Sequence, residues 1–125
     1  MIKVKQTELH IDLGKSGLSM LFKKYQRYLM EHIWNNVSTD KPITSGKAHT
    51  FILTTDDKKS RASVIFFLND MVEEGILGWH DATGKGGHHK RYYPLMTEKQ
   101  FWKHIAKNVH KKLVEASGKK NILRI

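Results

Sequence analysis

The sequence predicts an α+β, mainly α fold: three helices, then a β-hairpin, then one further helix. Three observations predict it. Apolar residues recur at steps of three and four in separate stretches, the period of a buried helix face. Two runs of strand formers flank a glycine-rich turn, and small polar, glycine or proline residues punctuate the chain between the remaining elements. At 125 residues and 39% hydrophobic content, one compact domain with a modest core is expected.

Taken in order, Leu9, Ile11 and Leu13 alternate with polar residues, as in a half-buried strand that could pair with Asn121 to Ile125 in the same chain or in a partner. From Leu18 to Trp34 the residues Leu18, Leu21, Phe22, Tyr25, Tyr28, Leu29 and Ile33 define a first helix, with Ser16 and Gly17 as its cap and leading turn. Pro42 and Gly46 break the next stretch. A brief strand over Lys41 to Thr44 then leads into a short second helix capped by Ser45, with Ala48, Phe51 and Ile52 as its buried stripe. Thr55 to Lys59 is a turn. Ser60 caps a third helix, which buries Val64, Phe67, Leu68 and Met71 and stops at Gly75.

Ile76 to Asp81 and His89 to Leu95 make the hairpin, with Tyr92 and Tyr93 as strong strand formers beside the tip. Thr97 caps the last helix, which carries Glu98 in its first turn and an apolar stripe of Phe101, Trp102, Ile105, Val109 and Leu113 through to Ser117 and Gly118. Helix, short strand, helix, turn, helix and hairpin is the order of a winged helix-turn-helix with a three-helix core and a β-hairpin wing, here with an additional C-terminal helix. The expected organisation is an N-terminal extension over 1–17, a DNA-binding domain over 18–96, and a helix and tail over 97–125 for dimerisation.

Lys and Arg total 22 against 12 acidic residues, a formal charge of +10, which favours a polyanionic partner. The absence of cysteine excludes disulfides, thiolate catalysis and cysteine-based zinc sites. No apolar run is long enough for a membrane span, and the opening MIKVKQTELH lacks the apolar core of a signal peptide, so a soluble cytoplasmic protein is expected. No Ser/His/Asp set and no paired carboxylates stand at a catalytic spacing, so no catalytic residue and no cofactor are expected. A hairpin could bring His80, His88 and His89 together, but adjacent His88 and His89 point to opposite sides of a strand, and no metal site is expected.

The stretch TGKGGHHKRYYP, from Thr83 to Pro94, supplies the wing. Its glycines let the chain turn close to a sugar-phosphate backbone, while Lys85, His88, His89, Lys90 and Arg91 offer donors to phosphate. A basic glycine-rich tip is also found as a merely solvated loop, a reading that the order of the helices disfavours. With Val64 facing the core, a step of about 100° per residue turns Ala62, Ser63, Phe66, Asn69, Asp70 and Glu73 outward.

A recognition helix inserts its N-terminal end, which places Arg61, Ala62, Ser63 and Phe66 near DNA beside the capping Ser60, with Asp70 and Glu73 receding. Asn69 can pair with adenine, and Phe66 can lie on a thymine methyl, pack under the wing or pack against a partner protein. Lys58 and Lys59 would grip the backbone, and Lys47 and His49 would stand near phosphates.

The excess charge lies late in the chain, where residues 95–125 hold eight basic and two acidic residues. Lys99, Lys103, Lys107 and Lys111 recur every four residues away from the apolar stripe; such a face is commonly just solvated, yet it could flank DNA or meet an acidic partner. The apolar stripe of Trp102, Ile105, Val109 and Leu113 is expected to meet Leu21 and Tyr25 of a second chain.

The stretches YLMEHIWNN, SRASVIFFLNDMVEEGILGWHD and KRYYPLMTEKQFWKHI resemble winged-helix transcriptional regulators of the penicillinase-repressor type, a group with beta-lactamase, methicillin-resistance and copper-responsive branches. The resemblance runs from about Leu18 to Leu113. It implies a homodimeric repressor that binds double-stranded DNA at a pseudo-palindromic operator and dimerises through its C-terminal helical region. The cysteine-rich metal hook of the copper branch is absent, and the dipeptide at which the penicillinase branch is cleaved has no clear counterpart. Two other functions fit the same residues: a winged-helix protein-interaction module using Phe66, and nucleic-acid binding without sequence preference through the wing and the last helix.

Overall fold

The computed structural model describes residues 2–3, 10–84 and 87–118, with side chains over 10–82 and 89–118. Two short strands, β1 (Ile2–Lys3) and β2 (His10–Ile11), pair antiparallel, with Ile2 opposite Ile11. A 3-10 turn (Gly17–Met20) precedes α1 (Lys24–Asn36), β3 (Ile43–Thr44), α2 (Ser45–Leu53), α3 (Arg61–Glu73), β4 (Leu77–Gly84), β5 (Gly87–Pro94) and α4 (Glu98–Ser117). The last three strands form an antiparallel sheet in the order β3-β5-β4, with Ile43 and Trp79 both opposite Tyr92. This is a winged helix.

Each helix buries one stripe, and the stripes meet in one core. Leu29, Met30 and Ile33 of α1, Ala48 and Ile52 of α2, and Val64 and Leu68 of α3 are fully buried, closed below by Ile76, Leu77 and Tyr92 of the hairpin. Burying one such side chain contributes roughly 1.5–3 kcal/mol, which is why these positions dominate stability. Phe101 fastens α4 to this core: its ring stacks on Phe22 at 5.6 Å and tilts against Trp34 at 5.2 Å. Nearby, the Trp34 indole Nε1 donates to the Met96 carbonyl at 3.1 Å.

The capping chemistry agrees with expectation at α3, where the Ser60 hydroxyl accepts from the Ser63 amide, and at α4, where Thr97 accepts from Gln100. At the end of α3, Gly75 takes φ +80°, and the Ile76 and Gly75 amides close back onto the Met71 and Val72 carbonyls. That paired closure needs a left-handed residue, which glycine supplies without strain.

Four expectations are corrected. The first helix starts at Lys24 rather than Leu18, because Lys23 is extended at ψ 164° and Gly17 turns the chain at φ +61°. Leu18, Leu21 and Phe22 are buried all the same, since a 3-10 turn and the loop after it place them on the same side as a helix would. Ser16 makes no side-chain capping bond; the start of α1 is instead closed by the Lys23 amide donating to Gln26 Oε1 at 2.9 Å.

The second helix is capped by Thr44, whose Oγ1 accepts from the Lys47 amide at 3.2 Å, and Ser45 is already helical. Among the described residues the N-terminal strand covers His10–Ile11 and pairs with Ile2–Lys3, Leu13 is 71% exposed beyond it, and Leu9 lies outside the described residues. Its proposed partner Asn121 to Ile125 lies outside the described residues.

Candidate nucleic-acid interface

One concave surface brings together four of the residues expected to touch nucleic acid, Arg61, Asn69, His89 and Lys90. A cleft of about 520 Å³ is lined by Thr44, Ser45 and Gly46 at the start of α2, by Arg61, Ile65 and Asn69 of α3, and by His89, Lys90 and Tyr92 of β5. The topology explains the convergence. Strand β3 runs straight into α2, so pairing β3 with β5 brings the wing strand beside the α2 N-terminus, and the α2–α3 turn sets the start of α3 opposite both. A side chain at Gly46 would start 3.7 Å from the Arg61 guanidinium, which measures how closely α3 approaches.

The chemistry of this cleft suits an anion. Amide N–H groups of a helix's first turn lack intrahelical partners, and the helix dipole places partial positive charge there. Arg61, Lys90 and His89 add side-chain donors, and no carboxylate is among its lining residues. Lys90 is held by the wing itself: its Nζ lies 4.8 Å from the centroid of the Trp79 ring, across the strand pair.

Asn69 and Tyr92 tie the two halves together. The Tyr92 hydroxyl donates to Asn69 Oδ1 at 3.0 Å, and burial pushes the tyrosine pKa up, which keeps the hydroxyl a donor. Bidentate pairing with adenine uses both halves of the amide. Asn69 could make it only by giving up the Tyr92 bond; as it stands, it is a strut between α3 and the wing that presents its NH₂ group.

The remaining expected contacts differ in exposure. Arg61, Ala62 and Phe66 are exposed, Phe66 at 69%, whereas Ser63, Asn69 and Asp70 are half-buried. Ser63 and Ser60 share a hydroxyl contact of 3.1 Å, so Ser60 is occupied with capping. Lys47 is exposed on α2. His49 is turned inward, its Nε2 donating to the Lys59 carbonyl at 3.1 Å.

Lys58 donates to the Thr55 carbonyl at 3.3 Å, and Lys59 lies 3.5 Å from Asp57 with its ammonium over the Tyr25 ring. Arg91 and His89 are exposed on the wing. Lys85 and the side chain of His88 lie outside the described residues. Among the described residues no group of three histidines or carboxylates is placed to hold a metal ion.

Of the residues expected at a dimer contact, Leu21, Tyr25 and Ile105 are buried in the chain's own core, at 6%, 8% and 4% exposure. Trp102, Val109 and Leu113 of α4 remain partly open. The periodicity that singled out all six does not distinguish a core stripe from an interface stripe.

Sequence reasoning missed three features. Asp56, in the α2–α3 turn, accepts from both Lys24 Nζ and the Tyr28 hydroxyl at 2.8 Å, anchoring the turn to α1. The hydrogen bond from Lys24, reinforced by that from Tyr28, holds its carboxyl below the usual carboxylate range. Glu74, at the C-terminal cap of α3, is fully buried with Oε1 3.5 Å from His104 Nε2, linking the far end of α3 to α4.

Third, a groove of about 570 Å³ beside Phe66 is lined by the N-terminal segment, including Asp12 and Met20. Only the TDD run before a helix start hinted at the first of these, and nothing in the local pattern signalled the others.

A three-helix core, a wing strand pinned to the second helix and a basic cleft where they meet define a winged-helix transcription regulator. Residues 24–125 match the model of the penicillinase repressor family, and the chain belongs to that family. A solved structure described as a possible transcriptional regulator from Methanosarcina mazei Go1 shares the fold, at 18% identity and a TM-score of 0.58 over 78% of this chain and 75% of that one. No curated protein matches the sequence.

Proposed function

We propose that this chain is a sequence-specific, double-stranded-DNA-binding repressor that acts as a homodimer. The observation that carries the reading is the shared cleft: Arg61 from the start of α3, Lys90 from the wing and the first turn of α2 open onto one concavity. In this reading the cleft seats the sugar-phosphate backbone, and the exposed face of α3, Arg61, Ala62, Ser63 and Phe66, enters the adjacent major groove. Phe66 supplies apolar contact for a thymine methyl, and Arg61 the donor fork that suits guanine or phosphate.

The wing follows the backbone through His89, Lys90 and Arg91, joined by Lys85 and His88. Trp102, Val109 and Leu113 of α4 supply the dimer contact, because they are the members of the apolar stripe that the chain's own core leaves partly open. Asp70 and Glu73 stay clear of phosphate toward the receding end of α3.

Mobility shifts on the duplex upstream of the protein's own coding sequence and on a scrambled duplex test this. The native duplex is expected to bind at least tenfold tighter, and Arg61→Ala and Lys90→Ala to weaken it. Equal binding to both duplexes, untouched by either substitution, would refute the reading. Phe66 exposed at 69% favours one other function, docking of a protein on α3; that reading predicts Phe66→Ala to abolish partner capture without changing any DNA affinity.

A further inference from the structure

The positive charge of this protein is not concentrated where its shape would read a duplex. Residues 41–94, which hold the cleft and the wing, carry eight basic and six acidic residues, whereas residues 95–125 carry eight basic and two. On α4, Lys99, Lys103, Lys107 and Lys111 are all exposed. At about 100° per residue they sweep one face of the helix over roughly 18 Å of its length. Of the two acids of this helix, Glu98 lies off the row, turned to the Trp102 indole at 3.3 Å, and Glu115 follows one turn beyond Lys111 at the far end of the row. None of the four lysines has a carboxylate within ion-pair distance among the described residues.

Position separates this row from the cleft. His104 meets Glu74 at the C-terminal end of α3, whereas Arg61 opens the cleft at the other end of the same 13-residue helix, roughly 20 Å away. Position around the helix also separates it from Phe101 and Ile105, which are buried against the core.

We propose that the lysine face of α4 is a second nucleic-acid surface, binding the phosphate backbone of duplex DNA without regard to sequence. A row of flexible point charges with no aromatic or arginine anchor is poorly suited to a protein interface, where lysine is depleted and anchors carry the affinity. It is well suited to a uniform line of phosphates, spaced about 1.7 Å per charge along a duplex. The surface supplies salt-sensitive affinity, and the cleft at the other end of α3 supplies selection. The proposal rests on DNA as the partner, but not on the cleft being its reader.

The test is fluorescence anisotropy of the full chain on a random-sequence duplex and on its own upstream duplex, across a series of salt concentrations. The variants are Lys99→Gln/Lys103→Gln/Lys107→Gln/Lys111→Gln, the same four positions as arginine, and Arg61→Ala. The glutamine variant is expected to reduce the slope of log affinity against log salt by roughly 0.9 for each phosphate no longer neutralised, about 3.6 if all four are lost, equally on both duplexes. The ratio between the duplexes should stay unchanged, and the arginine variant should keep the slope of the wild type.

Arg61→Ala should do the opposite, lowering the ratio while moving the slope by about one. If it moves nothing while the glutamine variant does, the cleft assignment fails and this proposal stands. A glutamine variant whose slope stays within about 0.5 of wild type overturns the proposal. So does loss of binding to a poly-glutamate probe with the DNA slope intact, which would mark an acidic-protein surface. Should the fourfold variant lose its helical circular dichroism, Lys99→Gln/Lys103→Gln and Lys107→Gln/Lys111→Gln decide the matter, each expected to remove about half of the effect.

Discussion

The two ends of α3 face different surroundings. At its start, three elements converge on a cleft two of whose side chains are fixed by named contacts: Asn69 by Tyr92, and Lys90 by Trp79. At its other end, α4 carries more charge and less constraint, a row of exposed lysines with no ion partners among the described residues. Fixed geometry discriminates between ligands, because a wrong partner leaves held groups unpaired. Mobile charge attracts any polyanion. In the proposed reading this division puts selectivity at one end and affinity at the other, and substitutions can separate them.

The largest expected effect comes from the residue that fastens α4 to the core. Phe101 is fully buried against Phe22 and Trp34, so Phe101→Ala should cost roughly 3–5 kcal/mol in chemical denaturation and detach α4 from the body. If the loss is below about 1 kcal/mol, α4 is not part of the same folding unit and the comparison collapses.

Next in size is Arg61→Ala, expected to cost about 1–3 kcal/mol of affinity for the preferred duplex and to narrow its margin over a random one. A uniform loss on both duplexes would make Arg61 a backbone contact only.

Smaller again is Tyr92→Phe. It removes the bond to Asn69 while keeping the ring in the core, and should lower stability by about 0.5–1.5 kcal/mol. Because the wing then loses its strut to α3, selectivity between duplexes should fall as well. Unchanged selectivity with lowered stability would mean that the strut does not position the wing for reading.

The smallest effect is on pH dependence. Asp56 has its pKa depressed by Lys24 and Tyr28, so the folded state holds its proton more weakly than the unfolded chain. Its contribution is therefore present above the ordinary aspartate range and is lost as pH falls through the depressed folded value. His32, stacked on Phe51 at 4.0 Å, has its pKa lowered by burial, so its contribution is complete above the usual histidine range and declines as pH drops below it. Thermal melts from about pH 5 down to about pH 2 should show the acid-side decline become shallower in Asp56→Asn; a parallel curve would mean that the aspartate contributes nothing to it.

Much of the fold was legible because the informative signals are local. The apolar stripe of α3, its Ser60 cap and its Gly75 stop lie within one stretch, and each acts through hydrogen bonds or packing a few residues away. The start of α1 was misread because Leu18, Leu21 and Phe22 keep helical spacing while the backbone between them is a 3-10 turn followed by an extended residue. Periodicity reports which side chains are buried, and tertiary packing decides how the backbone delivers them.

The site was legible to the same depth. That Arg61 and Lys90 belong together followed from element order, but Asn69 bonding to Tyr92, His49 turning to the Lys59 carbonyl and Glu74 burying against His104 span 10 to 30 residues. Such pairings depend on how elements dock, which residue type and spacing do not encode.

The central claim, that the start of α2, the start of α3 and the wing form one duplex-facing surface, is tested most directly by an amide NMR titration of the full chain with its own upstream duplex. At moderate salt the largest shifts on this duplex are expected to cluster at Ser45, Gly46, Arg61 to Phe66 and His89 to Arg91, with α4 amides shifting alike on this duplex and on a random one. Tight binding that leaves those cleft amides unmoved would contradict it.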